Sequence, residues 1–154
     1  MASSTPHTIV LSPNGAERPL FELPANGNVL PGELLEITTD EDVDQHSVAN
    51  GTAVPWFAVE NPYSGHTSGA AIDHAYADTE RVRVVHAQPG DILYAYIEAS
   101  ATLVFGRTLL ASNGAGALQA IVPDGDTVTK AVVAVAWQDA TIGGAAARAK
   151  VKII

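Results

Sequence analysis

The chain has 154 residues, 17 acidic against 8 basic side chains, 47% hydrophobic and 16% charged residues, no cysteine and a formal net charge of −9. That is enough chain for one soluble domain that buries roughly two thirds of its unfolded surface unaided, and the missing cysteines exclude disulfide scaffolds, thiolate metal sites and thiol nucleophiles. Three lysines in an acidic chain argue against nucleic acid, whose phosphates are held by clustered Lys and Arg; no membrane partner is expected either, because runs such as Ala131 to Trp137 fall far short of the ~20 apolar residues that cross a bilayer and Met1 to Val10 lacks a signal peptide's charged start and apolar stretch.

The charge is unevenly spread. Residues 1–80 hold 12 acids and one base, Arg18, a net of −11, whereas 81–154 hold seven bases and five acids, a net of +2. Such a split means that the halves face different surroundings. Sixteen valines, frequent threonine and 22 Gly plus Pro residues used as punctuation favour strands over helices.

In chain order, Met1 to Pro6 reads as an extended arm, Thr8 to Leu11 as a short strand, and Ala16 to Asn28 as a long loop, so 1–29 is an arm and loop preceding a β-rich domain over 30–154. Strands are predicted at Leu34 to Thr38, Gln45 to Ala49 and Trp56 to Val59, separated by Pro-Gly, Asn-Gly and acidic turns. In Arg81-Val82-Arg83-Val84 the arginines share one face and the valines the other. Pro89-Gly90-Asp91 is a turn, followed by a strand from Ile92 to Glu98 with Tyr94 and Tyr96 on one face. Arg107 to Ala111 and Ala117 to Val122 flank Ser112-Asn113-Gly114-Ala115-Gly116, a strong hairpin signal. Ala131 to Trp137 reads as a strand buried on both faces. The closing run Arg148 to Ile154 alternates with Arg148, Lys150 and Lys152 on one face, which is expected to be wet or to meet an acidic partner.

Candidate chemistry is thin. Asp40, Asp42 and Asp44 have the spacing of the first calcium-loop ligands, but Gln45 stands where the loop's Gly belongs and Gly51 where its bidentate Glu belongs, so the reading is a solvated acidic turn. No pair among His7, His46, His66, His74 and His86 has metal-site spacing. Ser64, Ser68, His66, His74 and Asp73 share a polar region yet form no nucleophile elbow. Gly114-Ala115-Gly116 lacks the third glycine and the helix of a dinucleotide fingerprint. Trp56, Phe57, Tyr63, Tyr76, Tyr94, Tyr96 and Trp137 are expected mainly in core and interface, with Tyr94 and Tyr96 the pair to test for sugar stacking. No cofactor, no metal and no enzymatic activity are expected.

Val82 to Asp91, Gly106 to Leu118, the Ala131 to Ala136 strand, the short basic closing strand and the opening Pro31-Gly32-Glu33-Leu34-Leu35 together resemble the capsid decoration, or head cement, proteins of tailed bacteriophages, over about residues 30–154. Arg107 departs from the pattern, in which an acidic residue often follows that glycine. The resemblance implies a small β-rich protein bound outside the matured capsid, commonly as a trimer, with an N-terminal arm reaching neighbouring subunits. The expectation is therefore an all-β domain, a small barrel or sandwich with an extended N-terminal arm. It would be made in the host cytoplasm, sit on the outer surface of the virion and clamp adjacent major capsid protein subunits as a homotrimer. Thr8, Ile9, Val10 and Leu11 would add a strand to a neighbour, and Tyr94, Tyr96, Arg148, Lys150 and Lys152 are candidate interface residues. The alternative is a carbohydrate-binding or adhesin module displayed on the virion, using Tyr94, Tyr96 or Trp56. A hydrolase built on His66, His74 and Asp73 ranks last.

Overall fold

Alternating valines and turn glycines do what their chemistry dictates: apart from one three-residue helical turn at Ala71–Asp73, every regular element among the described residues is a strand. The computed structural model describes residues 5–12, 20–62, 70–121 and 130–154. In order the strands are β1 Val10–Ser12, β2 Leu20–Pro24, β3 Leu34–Ile37, β4 Val43–Gln45, β5 Trp56–Ala58, β6 Arg81–His86, β7 Ile92–Ile97, β8 Thr102–Leu103, β9 Leu109–Ser112, β10 Leu118–Ala120, β11 Ala134–Ala136, β12 Ala140–Thr141 and β13 Ala147–Ile153.

Five of them close on themselves. The pairing runs β7-β10-β9-β11-β13 and returns from β13 to β7, which makes a small five-stranded barrel. Only the β7 and β10 pair is parallel. The β9–β10 hairpin turns through Asn113, whose side-chain carbonyl accepts the N–H groups of Ala115 and Ala117, with Gly114 and Gly116 at φ +79 and +76. That geometry is open to Asn and Gly and closed to most other residues.

β1 lies beside the start of β7, with Val10 opposite Leu93 in the same chain. The segment expected to add a strand to a neighbouring subunit, Thr8 to Leu11, is held on one side by its own fold. Ile9 is fully buried in the barrel core, and its carbonyl accepts the Tyr94 N–H at 2.8 Å. The physical reason is that Ile9 supplies apolar volume to the core and Tyr94 supplies a free donor beside it.

A second, wholly antiparallel sheet has the order β2-β6-β5-β3-β4. Its far edges are drawn together by a bridge between Ala25 and Val43 and by the Asn26 N–H bonded to the Val43 carbonyl at 2.8 Å. β2 lies inside the segment read as a long loop. Leu20, Phe21 and Leu23 give it apolar substance, and Phe21 stands opposite Val84 of β6. Residues 46–49 do not continue a strand as expected, because the acidic turn is tight and starts β4 early, at Val43.

Period-2 alternation makes this sheet a shared wall. Leu34, Phe57 and Val85 point into the barrel core, while their neighbours Leu35, Ala58 and Val84 point into a smaller core with Ala25, Val29, Val43, Tyr76 and Val82. Tyr76 is buried with its hydroxyl donating to the Val59 and Glu60 carbonyls at 3.0 Å; burial pushes its phenol far above the ordinary range.

Candidate functional site

β7 and β13 are paired over six residues, so their outward side chains stand in register: Arg148 opposite Tyr96, Lys150 opposite Tyr94, Lys152 opposite Ile92. The structure thus brings together the interface residues read from sequence, Tyr94, Tyr96, Arg148, Lys150 and Lys152, on one face of the barrel. An open cleft of about 520 Å³ beside them is lined by Tyr94, Tyr96, Arg148, Asp73, His7 and Ala147 among others.

Arg148 is not available to a partner in the way its neighbours are. Its Nε–H donates to the Pro31 carbonyl at 2.8 Å, one terminal nitrogen donates to the Asp73 carboxylate at 3.0 Å, and the other donates to the Ile72 carbonyl. The guanidinium also lies over the Tyr96 ring, 4.6 Å from its centroid, and the side chain is 9% exposed against 64% for Asp73. The planar fork of arginine suits such convergent acceptors. Of the two expectations for the basic face, wet or against an acidic partner, Arg148 takes the second within its own chain through Asp73, and the Pro31 and Ile72 carbonyls close it further.

The two lysines differ. Lys152 places its ammonium 4.5 Å from the centre of the Trp137 ring, a cation–π contact. Trp137 packs against Phe105 with ring centroids 4.7 Å apart. Phe105 is half exposed, and its N–H is held by Asp139 at 2.9 Å. Its role was not legible in the sequence, since it sits in a turn outside any alternating run. Among the described residues neither Lys150 nor Lys152 has a carboxylate within salt-bridge distance.

Between the two sheets lies a buried polar seam. His46 Nδ1 and Ser112 Oγ are 2.7 Å apart, and His46 Nε2 faces the Thr52 carbonyl at 3.3 Å. A carbonyl can only accept, so Nε2 carries a proton, and in the neutral ring the Ser112 hydroxyl donates to Nδ1. Ser112 Oγ in turn accepts the Gly114 N–H at 3.1 Å. The pair has the atoms of a serine nucleophile and its base, yet Ser112 is fully buried and both its hydrogen-bonding roles are occupied, so its work is to tie β4 to the barrel hairpin. Beside it, Glu33 accepts from the Leu30 N–H and from Gln45, each at 2.8 Å. Burial pushes its carboxyl above the ordinary range, against the pull of those two donors.

The other sequence candidates are dispersed. Ser64, His66, Ser68 and Tyr63 lie outside the described residues, Asp73 is committed to Arg148, and Phe57 and Tyr76 are core. Trp56 packs edge-on against Phe21 and His86. In the acidic turn Asp42 accepts from the Thr38 hydroxyl and Asp44 from the Gln45 N–H at 2.7 Å, so these two carboxylates stitch their own hairpin. Among the described residues no group of three or more His, Cys, Asp or Glu is placed to hold a metal ion, and no helix is long and apolar enough to cross a membrane.

No protein-family model matches the chain, and no curated protein matches it in sequence. Among solved structures, it is similar to the N base of the head fiber gp8.5 of bacteriophage phi29, with a TM-score of 0.55 and 14% identity over 90% of this chain and 95% of that one. The likeness is one of fold. It extends across nearly the whole of both chains, so the barrel and the second sheet are matched together as one unit.

Proposed function

We propose that the chain is a structural protein of a tailed-phage virion, seated on the outside of the head and acting by binding rather than by catalysis. The observation that carries this reading is the fold shared with a head-fiber base over 90% of the chain. The turn and strand resemblance of residues 30–154 to capsid decoration proteins points the same way.

In the fuller form of the proposal several copies, a trimer by the decoration-protein resemblance, clamp adjacent major capsid protein subunits and hold the shell against the pressure of its packaged DNA. Each contact is modest, and the lattice multiplies it by effective concentration. The test is to purify virions from the phage that encodes the chain, quantify the chain against the major capsid protein, and probe intact particles with an antibody. The expected result is a fixed stoichiometry matching the lattice and labelling without disruption; a chain absent from particles, or reached only after they are opened, overturns the reading.

The cleft beside Tyr94 and Tyr96 is the observation that would favour carbohydrate binding instead. Arg148 already covers one face of the Tyr96 ring, which leaves that ring half its stacking surface. Glycan-array binding lost in Tyr96→Ala would establish this second reading.

A further inference from the structure

The lysine and aromatic face of the barrel is a surface where cations and exposed apolar groups coincide. β11 and β13 set Val135 opposite Lys152, the Trp137 N–H is bonded to the Lys150 carbonyl at 2.8 Å, and Leu109 of β9 stands opposite Val135. The result is a band in which Lys150 and Lys152 flank Trp137, with Phe105 50% and Leu109 41% exposed at its edge. Arg107, also exposed, lies between those two in sequence. In a chain of net charge −9, Lys150 and Lys152, without acidic partners among the described residues and beside the exposed Phe105 and Leu109, call for an acidic surface with an apolar centre.

The chain carries such a surface itself, on the other sheet. The turn joining β3 to β4 is closed by the Thr38 N–H bonded to the Asp42 carbonyl at 2.9 Å and passes through Glu41 at φ +63. Asp40 and Glu41 at its tip are exposed, and among the described residues neither carboxylate has an ion-pair partner. Ile37, at the end of β3, is 37% exposed beside them. Opposite charges around an apolar centre thus occur on the two separate sheets of one molecule, and no ion pair joins them within the described chain.

We propose that copies of the chain meet head to tail, the Ile37 to Asp42 turn of one copy docking on the Phe105, Trp137, Lys150 and Lys152 face of the next. The proposal rests on the reading of a protein that acts in several copies on a shell, and it names the surfaces through which the copies meet. Because the two patches differ, the contact is heterologous, and it propagates as a ring or an open row according to the angle it imposes.

The test uses two charge reversals in the full chain, K150E with K152E and D40K with E41K, each checked for folding by circular dichroism. Sedimentation at tens of micromolar is expected to show association of the wild-type chain that loosens as salt rises. Each reversal alone weakens it by about tenfold or more, since like charges then face each other. An equimolar mixture of the two variants restores association, because each then offers the other an opposite patch. A wild-type chain that stays monomeric, an association indifferent to both reversals, or folded variants that fail to pair when mixed would overturn the proposal. If instead the wild-type chain is monomeric and K150E with K152E abolishes co-sedimentation with heads, the face meets the shell and not a second copy. Sedimentation needs no heads, so a failure here leaves the virion assignment standing, and a chain that self-associates but never binds heads would remove that assignment alone.

Discussion

The barrel and the second sheet are built from strands of similar length, yet they bury themselves by different means. The barrel closes its own edges, and among the described residues its core gathers 21 buried apolar side chains. The second sheet has eight in a core of its own, and its opposite face contributes Leu34, Phe57 and Val85 to the barrel. The closed ring is the scaffold; the second sheet is held by being one of its walls. The acidic charge follows a similar division, since residues 1–80, which form β1 and four of the second sheet's five strands, carry −11, and 81–154, which form β6 and the barrel strands, carry +2. A densely apolar half therefore provides the rigid body, and an acidic half decorates it.

That dependence can be broken most severely at Phe57, which crosses from β5 into the barrel core and is fully buried. Phe57→Ala is expected to cost about 3–5 kcal/mol. Both sheets should be lost in one urea transition, read by far-ultraviolet circular dichroism and by tryptophan fluorescence. Two separate transitions would show that the sheets fold independently.

A somewhat smaller effect is expected at Gly32, where the chain passes over β7. Its φ is +95, and a Cβ there would lie 2.9 Å from the backbone oxygen of Tyr94. Gly32→Ala combines left-handed strain with a clash against backbone, for about 2–4 kcal/mol by thermal or urea unfolding.

Arg148 sharpens the comparison further, because it staples the barrel strand β13 to the Pro31 and Ile72 loops. Arg148→Met leaves two carbonyl acceptors unpaired and is expected to cost about 2 kcal/mol. Asp73→Asn removes only the exposed ionic partner and is expected to cost about 0.5 kcal/mol or less. Equal losses in the two variants would mean that the ion pair, and not the carbonyl contacts, holds the loops.

The smallest expected effect is a pH slope from Glu33, whose carboxyl is raised from 4.5 chiefly by burial. A group whose folded pKa lies above its unfolded one favours the folded state in its protonated form. Its contribution is thus complete at low pH and is lost as pH rises past 4.5. Glu33→Gln should flatten that part of the stability profile in urea melts across the acid to neutral range. An unchanged profile would assign the slope to other groups, such as Glu98, which burial also raises.

Most of the barrel was legible in the sequence because its strands obey two local rules. The alternation of Arg148 to Ile153 placed Ala149, Val151 and Ile153 inward, and Asn113-Gly114 marked the β9–β10 turn at its true position. The second sheet was harder to read. β2 is written in a segment rich in Pro and polar residues and ends on Pro24, so its strand character comes from pairing with β6 over five residues and not from its own pattern. The candidate face was half legible: spacing put Arg148, Lys150 and Lys152 on one side of a strand, but nothing local told that Arg148 would be claimed by acceptors more than 70 residues away. Likewise His46 and Ser112, 66 positions apart, meet only because two sheets pack together.

The central claim, a virion protein of the outer head surface, is tested most directly by adding the purified full chain to filled heads that lack it and measuring both binding and resistance to DNA release on heating. Saturable binding at a fixed ratio to the major capsid protein and a higher temperature of DNA release are expected. Heads that neither bind the chain nor gain resistance from it would rule out a role on the outer head surface.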